Sequence, residues 1–94
     1  MKSEKKYWIV ELTNQVRKQL KRIDKTIALE LLDFIDELTF IEDIKELGKP
    51  LKGDHLGLYR FRKGNYRIIA LIQDDKLLIT VTAIGHRQGI YKGA

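Results

Sequence analysis

The sequence contains no cysteine, and this absence excludes both a disulfide framework and a thiolate metal site. It also lacks any apolar run long enough to cross a membrane. The first hydrophobic stretch, residues 7–10, is too short for the core of a signal peptide. Repeats, linkers and low-complexity tracts are missing as well. We therefore expect a single domain over residues 1–94 that stays in the reducing cytoplasm.

Acidic residues are scarce in the second half of the chain. Residues 1–48 hold nine Lys and Arg against ten Asp and Glu, whereas residues 49–94 hold nine against three. The net charge of +5 therefore resides in the second half, and this indicates an anionic partner such as a nucleic acid. Soluble proteins of similar pI, near 9.5, also exist that bind nothing acidic, so charge alone leaves both explanations open.

The spacing of apolar residues predicts the element order β-α-α-β-β-β. Residues 7–12 read as a strand, and Thr13 or Asn14 then caps a helix that carries Val16 and Leu20 on one face. Asp24 caps a second helix with apolar positions at helical spacing up to Leu38. Residues 40–47 remain ambiguous between a loop and one more helical turn. The predicted fold class is α+β: an N-terminal strand, a two-helix hairpin, and a three-stranded antiparallel meander forming one sheet packed on the helices.

Two short turns fix the register of the predicted meander, whose strands cover residues 58–63, 66–73 and 76–84. Gly64-Asn65 suits a type II′ hairpin and places Arg62 opposite Arg67. A second two-residue turn at Asp74-Asp75 would place Arg67 opposite Thr82. Side chains alternate between the faces of a strand, so one face is apolar and must cover the helices. Its members are Phe61, Ile68, Ala70, Ile72, Leu77, Ile79, Val81 and Ala83.

The other face of the meander carries a cluster of arginines that a sequence selected only for stability would avoid. Arg62 and Arg67 repel each other across the hairpin, and Arg60 lies two residues along the same face. An anion between the side chains resolves the conflict, and phosphate matches the guanidinium fork. The alternative is that a carboxylate such as Asp54 neutralises the cluster.

The end of the chain adds groups that suit phosphodiester chemistry. Gly85 permits a bend after the last strand, so the direction of His86 and Arg87 cannot be read from alternation. A histidine, several arginines and Tyr91 supply a group that titrates near neutral pH, fixed positive charge and a phenol. These groups suit cleavage of RNA in which the 2′-hydroxyl attacks its own phosphorus. We expect no metal and no other cofactor.

Several segments together resemble one family. They are Gly48-Lys49-Pro50-Leu51-Lys52-Gly53, Gly57-Leu58-Tyr59-Arg60-Phe61-Arg62, Gly64-Asn65-Tyr66-Arg67-Ile68-Ile69, and Gly85-His86-Arg87 followed by Tyr91. In this order and spacing the chain resembles the RelE family, the toxins of bacterial and archaeal toxin–antitoxin pairs. The resemblance implies a ribonuclease that cleaves messenger RNA in the ribosomal A site and a cognate antitoxin that hides its site.

The resemblance also implies roles for individual residues. Arg60 and Arg62 match the basic residues on the first strand of the meander that contact and activate the RNA. Arg67 matches the arginine that stabilises phosphate charge. Arg87 and Tyr91 match the arginine and tyrosine of the C-terminal segment. Lys49, Lys52 and Lys63 are further candidates for RNA contact.

One departure from the family changes the proton chemistry. The best-described members carry lysines on the first meander strand, where this chain has Arg60 and Arg62. Arginine holds phosphate well but is a poor general base, because it does not readily release its proton. We hypothesise that His86 takes the base role here.

Two other functions remain open. The related ParE toxins share the fold and inhibit DNA gyrase by binding, and a degenerate toxin would bind RNA without cutting it. The complete set of arginines with Tyr91 favours RNA cleavage. An apolar end of the outer face, formed by Ile69, Leu71 and Leu78, predicts an antitoxin segment docked there or in the groove beside the helices.

Overall fold

The computed structural model of the protein describes residues 7–51 and 57–86. Within these ranges, short 3-10 helices lie at Leu38–Phe40 and Asp74–Lys76. The other elements follow the chain order β1 (Ile9–Leu12), α1 (Asn14–Arg22), α2 (Lys25–Glu37), α3 (Ile44–Leu47), β2 (Lys49–Pro50), β3 (Leu58–Lys63), β4 (Tyr66–Gln73) and β5 (Leu78–His86). The α+β class is confirmed.

Each of the two longer helices begins at a predicted cap. The hydroxyl of Thr13 accepts a hydrogen bond from the backbone N–H of Val16 at 3.2 Å. The carboxylate of Asp24 accepts from the N–H groups of Thr26 and Ile27. These side chains satisfy backbone donors that have no partner inside the helix, and so they define where α1 and α2 start. The ambiguous segment contains one further helical turn, α3.

The sheet has five described strands in the order β1-β5-β4-β3-β2, one more than predicted. Strand β1 lies beside β5, the last strand of the meander, and pairs with it in parallel, with Val10 opposite Ile79. The additional strand is the short β2, for which no strand was predicted. It pairs with β3 and sets Lys49 opposite Arg60. The proline in β2 lies on an edge strand, where a missing N–H is tolerated.

The predicted register of the first hairpin is confirmed. Arg62 faces Arg67, Phe61 faces Ile68, and Arg60 faces Ile69. Gly64 has φ +61°, the positive value that a tight hairpin turn with glycine in its first position requires. The arginine cluster of the sequence is therefore assembled on adjacent strands.

The predicted register of the second hairpin is wrong. The chain makes a 3-10 turn over Asp74–Lys76 and closes it at Leu77, which adopts a left-handed conformation with φ 50°. Gln73 consequently pairs with Leu78 instead of Lys76. The side chain of Leu77 packs against the core, and this burial offsets the roughly 1–2 kcal/mol cost of a left-handed residue.

A β-bulge shifts the β4–β5 register once more. The shift lies between Ile69 and Ala70, so that Ala70 pairs with Val81 while Ile69 pairs with Ala83. As a result Arg67 lies opposite Gly85 and Ile68 lies opposite Ile84, not opposite Thr82 and Val81 as predicted. The extra residue also changes which side chain faces inward. Ile84, not Ala83, is buried in the core.

The hydrophobic core lies between the helices and the inner face of the sheet. Its fully buried side chains are Val16, Leu31, Ile35, Leu38, Ile44, Phe61, Ile68, Ile79 and Val81. This packing holds β3 and β4 rigidly against α2, and it leaves the opposite, outer face of the hairpin to the arginines. No described helix is long and apolar enough to cross a membrane.

Candidate functional site

The outer face of the β3–β4 hairpin brings three arginines together. Arg62 and Arg67 are direct cross-strand partners, and Arg60 lies two residues along β3 on the same face. Like charges on opposing residues destabilise a sheet. The inner faces of both strands are fixed by Phe61 and Ile68, so the strands cannot slip to separate the charges. The hydrophobic core thus keeps Arg62 and Arg67 opposite each other.

The three arginines differ in their access to solvent. Arg62 is exposed, Arg60 is partly buried, and Arg67 retains only 7% of its accessible surface. Ile69, the next outward residue on β4, is buried to a similar degree at 9%. Along the outer face, the arginines therefore change from buried, at Arg67, to accessible to solvent, at Arg62. A phosphate at Arg62 would sit next to a charge that water screens weakly.

Lys49 adds a fourth cation to the outer face. It is the cross-strand partner of Arg60 on the edge strand β2, and it is exposed. Together with Arg60 and Arg62 it lines a groove that also contains Phe34 from α2 and Leu47 from α3. Lys49 was predicted to contact RNA, whereas Phe34 and Leu47 were not predicted as site residues. No local sequence signal marks these two residues, because the groove depends on how α2 and α3 pack beside β3.

His86 lies at the same end of the sheet as Arg67 but on the other face. It pairs with Tyr66, and the two rings meet edge to face with their centroids 5.4 Å apart. Tyr66 packs against the core on the helix side, whereas Arg67 points outward opposite Gly85. Because glycine has no side chain, β5 contributes no side chain directly opposite Arg67. The catalytic role of His86 stays a prediction.

Lys63 also belongs to the helix side of the sheet. It lines a cavity of about 360 Å³ between α2 and the β3–β4 turn, together with Glu30 and Tyr66. The other predicted site residues, Lys52, Arg87 and Tyr91, lie outside the described residues, as does Asp54. Among residues 7–51 and 57–86, no three His, Asp or Glu side chains come close enough to hold a metal ion.

Strand β5, which leads into the C-terminal part of the site, is held by a helix side chain. The backbone N–H of Ile84 donates to Oε1 of Gln19 on α1 at 3.0 Å. Next to it, the hydroxyl of Thr82 donates to the carbonyl of Ile69 at the bulge, at 3.3 Å. These two hydrogen bonds fix the shifted register that places Gly85 opposite Arg67. Sequence reasoning missed both, because neither follows from periodicity.

Comparison with known proteins gives a consistent result. Residues 10–91 match the sequence profile of a family described as the ParE toxin of type II toxin–antitoxin systems, parDE. Toxin RelE of Mycobacterium tuberculosis is 29% identical over 88% of this chain and 84% of its own length. Toxin RelG of the same organism is 26% identical over 90% of this chain and 97% of its own length.

Solved structures show the same fold in complexes with antitoxins. The toxin–antitoxin complex RelBE2 of M. tuberculosis superimposes with a TM-score of 0.77 at 24% identity, covering 86% of this chain and 99% of that one. The archaeal RelE–RelB complex of Pyrococcus horikoshii gives a TM-score of 0.71 at 27% identity, covering 88% and 98%.

Proposed function

We infer the function of this chain from one premise: it belongs to the RelE/ParE family, the toxins of type II toxin–antitoxin systems. Within that family we propose that it is a metal-independent endoribonuclease. It enters the ribosomal A site, cuts the messenger RNA there and so inhibits translation. The activity takes place in the cytoplasm, where the ribosomes are.

The observation that carries the proposal is the pairing of Arg62 with Arg67. Two guanidinium groups on directly opposed residues offer a phosphate charged hydrogen-bond donors from two adjacent strands. Arg60 and Lys49 extend the positive charge along the neighbouring strands, in the direction that a polynucleotide backbone would follow.

The proposed reaction needs a proton acceptor as well as positive charge. The RNA 2′-hydroxyl loses its proton, its oxygen bonds to phosphorus, and the 5′-oxygen of the next nucleotide leaves and takes up a proton. The arginines stabilise the negative charge on the phosphate oxygens during this step. We assign proton removal to His86, since arginine is unsuited to it. Arg87 and Tyr91 complete the proposed site.

We also propose a cognate antitoxin as the partner of this chain. Its relatives in M. tuberculosis and P. horikoshii were crystallised as toxin–antitoxin complexes. The antitoxin would cover the basic outer face and keep RNA away from it. The apolar docking surface predicted from Ile69, Leu71 and Leu78 needs revision, because Ile69 is already buried in the single chain. Leu71 and Leu78 stay partly accessible, and Leu78 lies opposite the exposed Ile9 of β1.

Mapping of messenger RNA ends in cells tests the proposed activity. Induction of the wild-type chain should produce new 5′ ends that lie in frame on translated messengers. Arg62→Ala should reduce these cuts by about 100-fold or more, as expected for loss of a group that stabilises transition-state charge. Lys76→Ala removes an exposed cation at the opposite end of the hairpins and should cut like the wild type. Messengers that stay intact under wild-type induction would refute the proposal.

Gyrase inhibition is the second candidate, and the description of the matching family supports it. Cells in which the wild-type chain is induced also distinguish the two functions. A ParE-like activity would damage DNA and leave messenger ends unchanged, and a supercoiling assay with purified gyrase would show inhibition. The arginine pair favours RNA cleavage, because binding to a protein target does not require two opposed guanidinium groups.

A further inference from the structure

A groove at the β2 edge of the sheet combines apolar and cationic side chains. It is lined by Phe34, Leu47, Lys49, Arg60 and Arg62 and encloses about 130 Å³. Phe34 reaches it from α2, Leu47 from the end of α3, and the three cations from β2 and β3. The groove therefore borders the arginine pair directly, since Arg62 belongs to both.

The two apolar residues of the groove are more accessible to solvent than the residues of the hydrophobic core. Leu47 is 49% exposed, and Phe34 is only partly buried although α2 packs against the core. None of these five lining residues is acidic. A ligand that fits the groove thus needs one flat apolar part to cover Phe34 and one negative part for the exposed cations Lys49 and Arg62.

We propose that this groove holds a nucleobase of single-stranded RNA, stacked on Phe34, with the adjoining phosphate bound by Lys49 and Arg62. Stacking on an aromatic ring tolerates any base and adds affinity beside an electrostatic backbone site. This inference rests on the proposed function, because it assigns the groove to a nucleotide next to the one that is cut at Arg62 and Arg67.

Charge and shape favour RNA over the other occupant, an acidic segment of the antitoxin. A carboxylate would satisfy the cations but leave Phe34 and Leu47 to a separate apolar side chain. A nucleotide supplies both parts at a fixed spacing on one backbone. It also arrives at the groove already tethered, because the phosphate at Arg62 belongs to the same strand.

Binding of a short single-stranded RNA with methylated 2′-hydroxyls tests the proposal without cleavage. Fluorescence anisotropy should show that the wild-type chain binds this RNA about tenfold more tightly than a backbone of equal length without bases. Phe34→Leu retains an apolar side chain but removes the ring, and it should lose this preference. Its affinity for the base-free backbone should stay at the wild-type value.

Two further variants keep the experiment decisive. Phe34→Trp retains an aromatic surface and should bind the RNA at least as tightly as the wild type. Phe40→Leu removes a ring that is 69% exposed and contacts Tyr7 instead of the groove, and it should change nothing. Circular dichroism and a melting curve show whether each variant is folded.

Failures of the two proposals are distinguishable. A wild-type chain that binds neither oligonucleotide would overturn the proposed function together with this inference. A wild-type chain that binds RNA while Phe34→Leu binds it equally well would overturn the inference alone. Equal weakening toward both oligonucleotides, or weakening of the antitoxin complex only, would also refute stacking and assign the groove to the backbone or to the antitoxin.

Discussion

Arginine in place of lysine at positions 60 and 62 changes what the outer face can do. A guanidinium group binds phosphate in a bidentate manner and remains charged at every relevant pH, whereas a lysine amine can exchange a proton. The site is therefore well suited to hold the RNA and poorly suited to remove a proton. In the proposed reaction another residue accepts the 2′-hydroxyl proton, and we assign this role to His86, which lies at this end of the sheet.

Replacement of His86 tests whether it removes the proton while the arginines hold the RNA. His86→Gln should lower the cleavage rate by about 100-fold or more, the usual contribution of a general base, while RNA affinity stays unchanged. The measurement is single-turnover cleavage on programmed ribosomes.

His55→Gln, which removes the other histidine of the sequence, provides the control and should cleave normally. His86 lies on the helix side with Tyr66, so the messenger would have to pass the end of the sheet to reach it. An unchanged rate in His86→Gln would assign proton removal elsewhere.

The two hairpins show which structural features could be predicted at the level of elements. Gly64-Asn65 is a strong local turn signal, and it fixed the β3–β4 register and the Arg62–Arg67 pair without any tertiary information. Asp74-Asp75 was misleading, because burial of Leu77 favours a longer turn that the local sequence does not encode. The bulge at Ile69 depends on packing between strands, which periodicity cannot reveal.

The candidate site, like the fold, could be predicted only where short-range sequence signals determine it. Its arginines follow one well-encoded strand pair, so their grouping was correct. The face of His86 depends on two register shifts, and the groove residues Phe34 and Leu47 come from helices whose packing against β3 is a tertiary property. Short-range signals therefore predicted the arginine cluster, whereas long-range packing determines the positions of His86, Phe34 and Leu47.

Close packing between α3 and β3 makes Gly48 sensitive to substitution. A Cβ atom at this position would lie 2.8 Å from Cε2 of Phe61 and 3.1 Å from the carbonyl oxygen of Arg60. Gly48→Ala should therefore lower the free energy of unfolding by about 1–3 kcal/mol, the usual cost of overpacking. Urea denaturation measures this loss.

Gly64→Asn is the matched control for Gly48→Ala. Nothing lies within 4 Å of a Cβ atom at Gly64, and asparagine tolerates positive φ better than other residues. This variant should be nearly as stable as the wild type. Equal stability of Gly48→Ala and the wild type would show that Phe61 can move aside.

The hydrogen bond from Ile84 to Gln19 predicts a link between α1 and the end of β5. Gln19→Leu removes the acceptor and should cost about 1 kcal/mol, with faster hydrogen exchange at the Ile84 amide. Gln19→Glu retains an acceptor oxygen and should restore slow exchange. Fast exchange in both variants, or in neither, would contradict a role for this hydrogen bond.

At the scale of the whole molecule, the segregation of charge predicts salt-dependent RNA binding. Lys49, Arg60, Arg62 and Arg67 are four cations on one face, and each phosphate contact contributes about −0.7 to the slope of log affinity against log salt concentration for single strands. We expect a slope of about −3 for the wild type and about −2 for Arg62→Gln. A titration of non-cleavable RNA at several salt concentrations measures both values. A slope unaffected by the substitution would place the RNA on another surface.

The most direct test of the central claim, that Arg62 and Arg67 bind a polyanion together, is the rise in melting temperature that non-cleavable RNA gives to the wild type and to Arg62→Gln at low salt. RNA should raise the melting temperature of the wild type more than that of the variant, since the wild type binds the phosphates more tightly. An equal rise for both proteins would contradict the account.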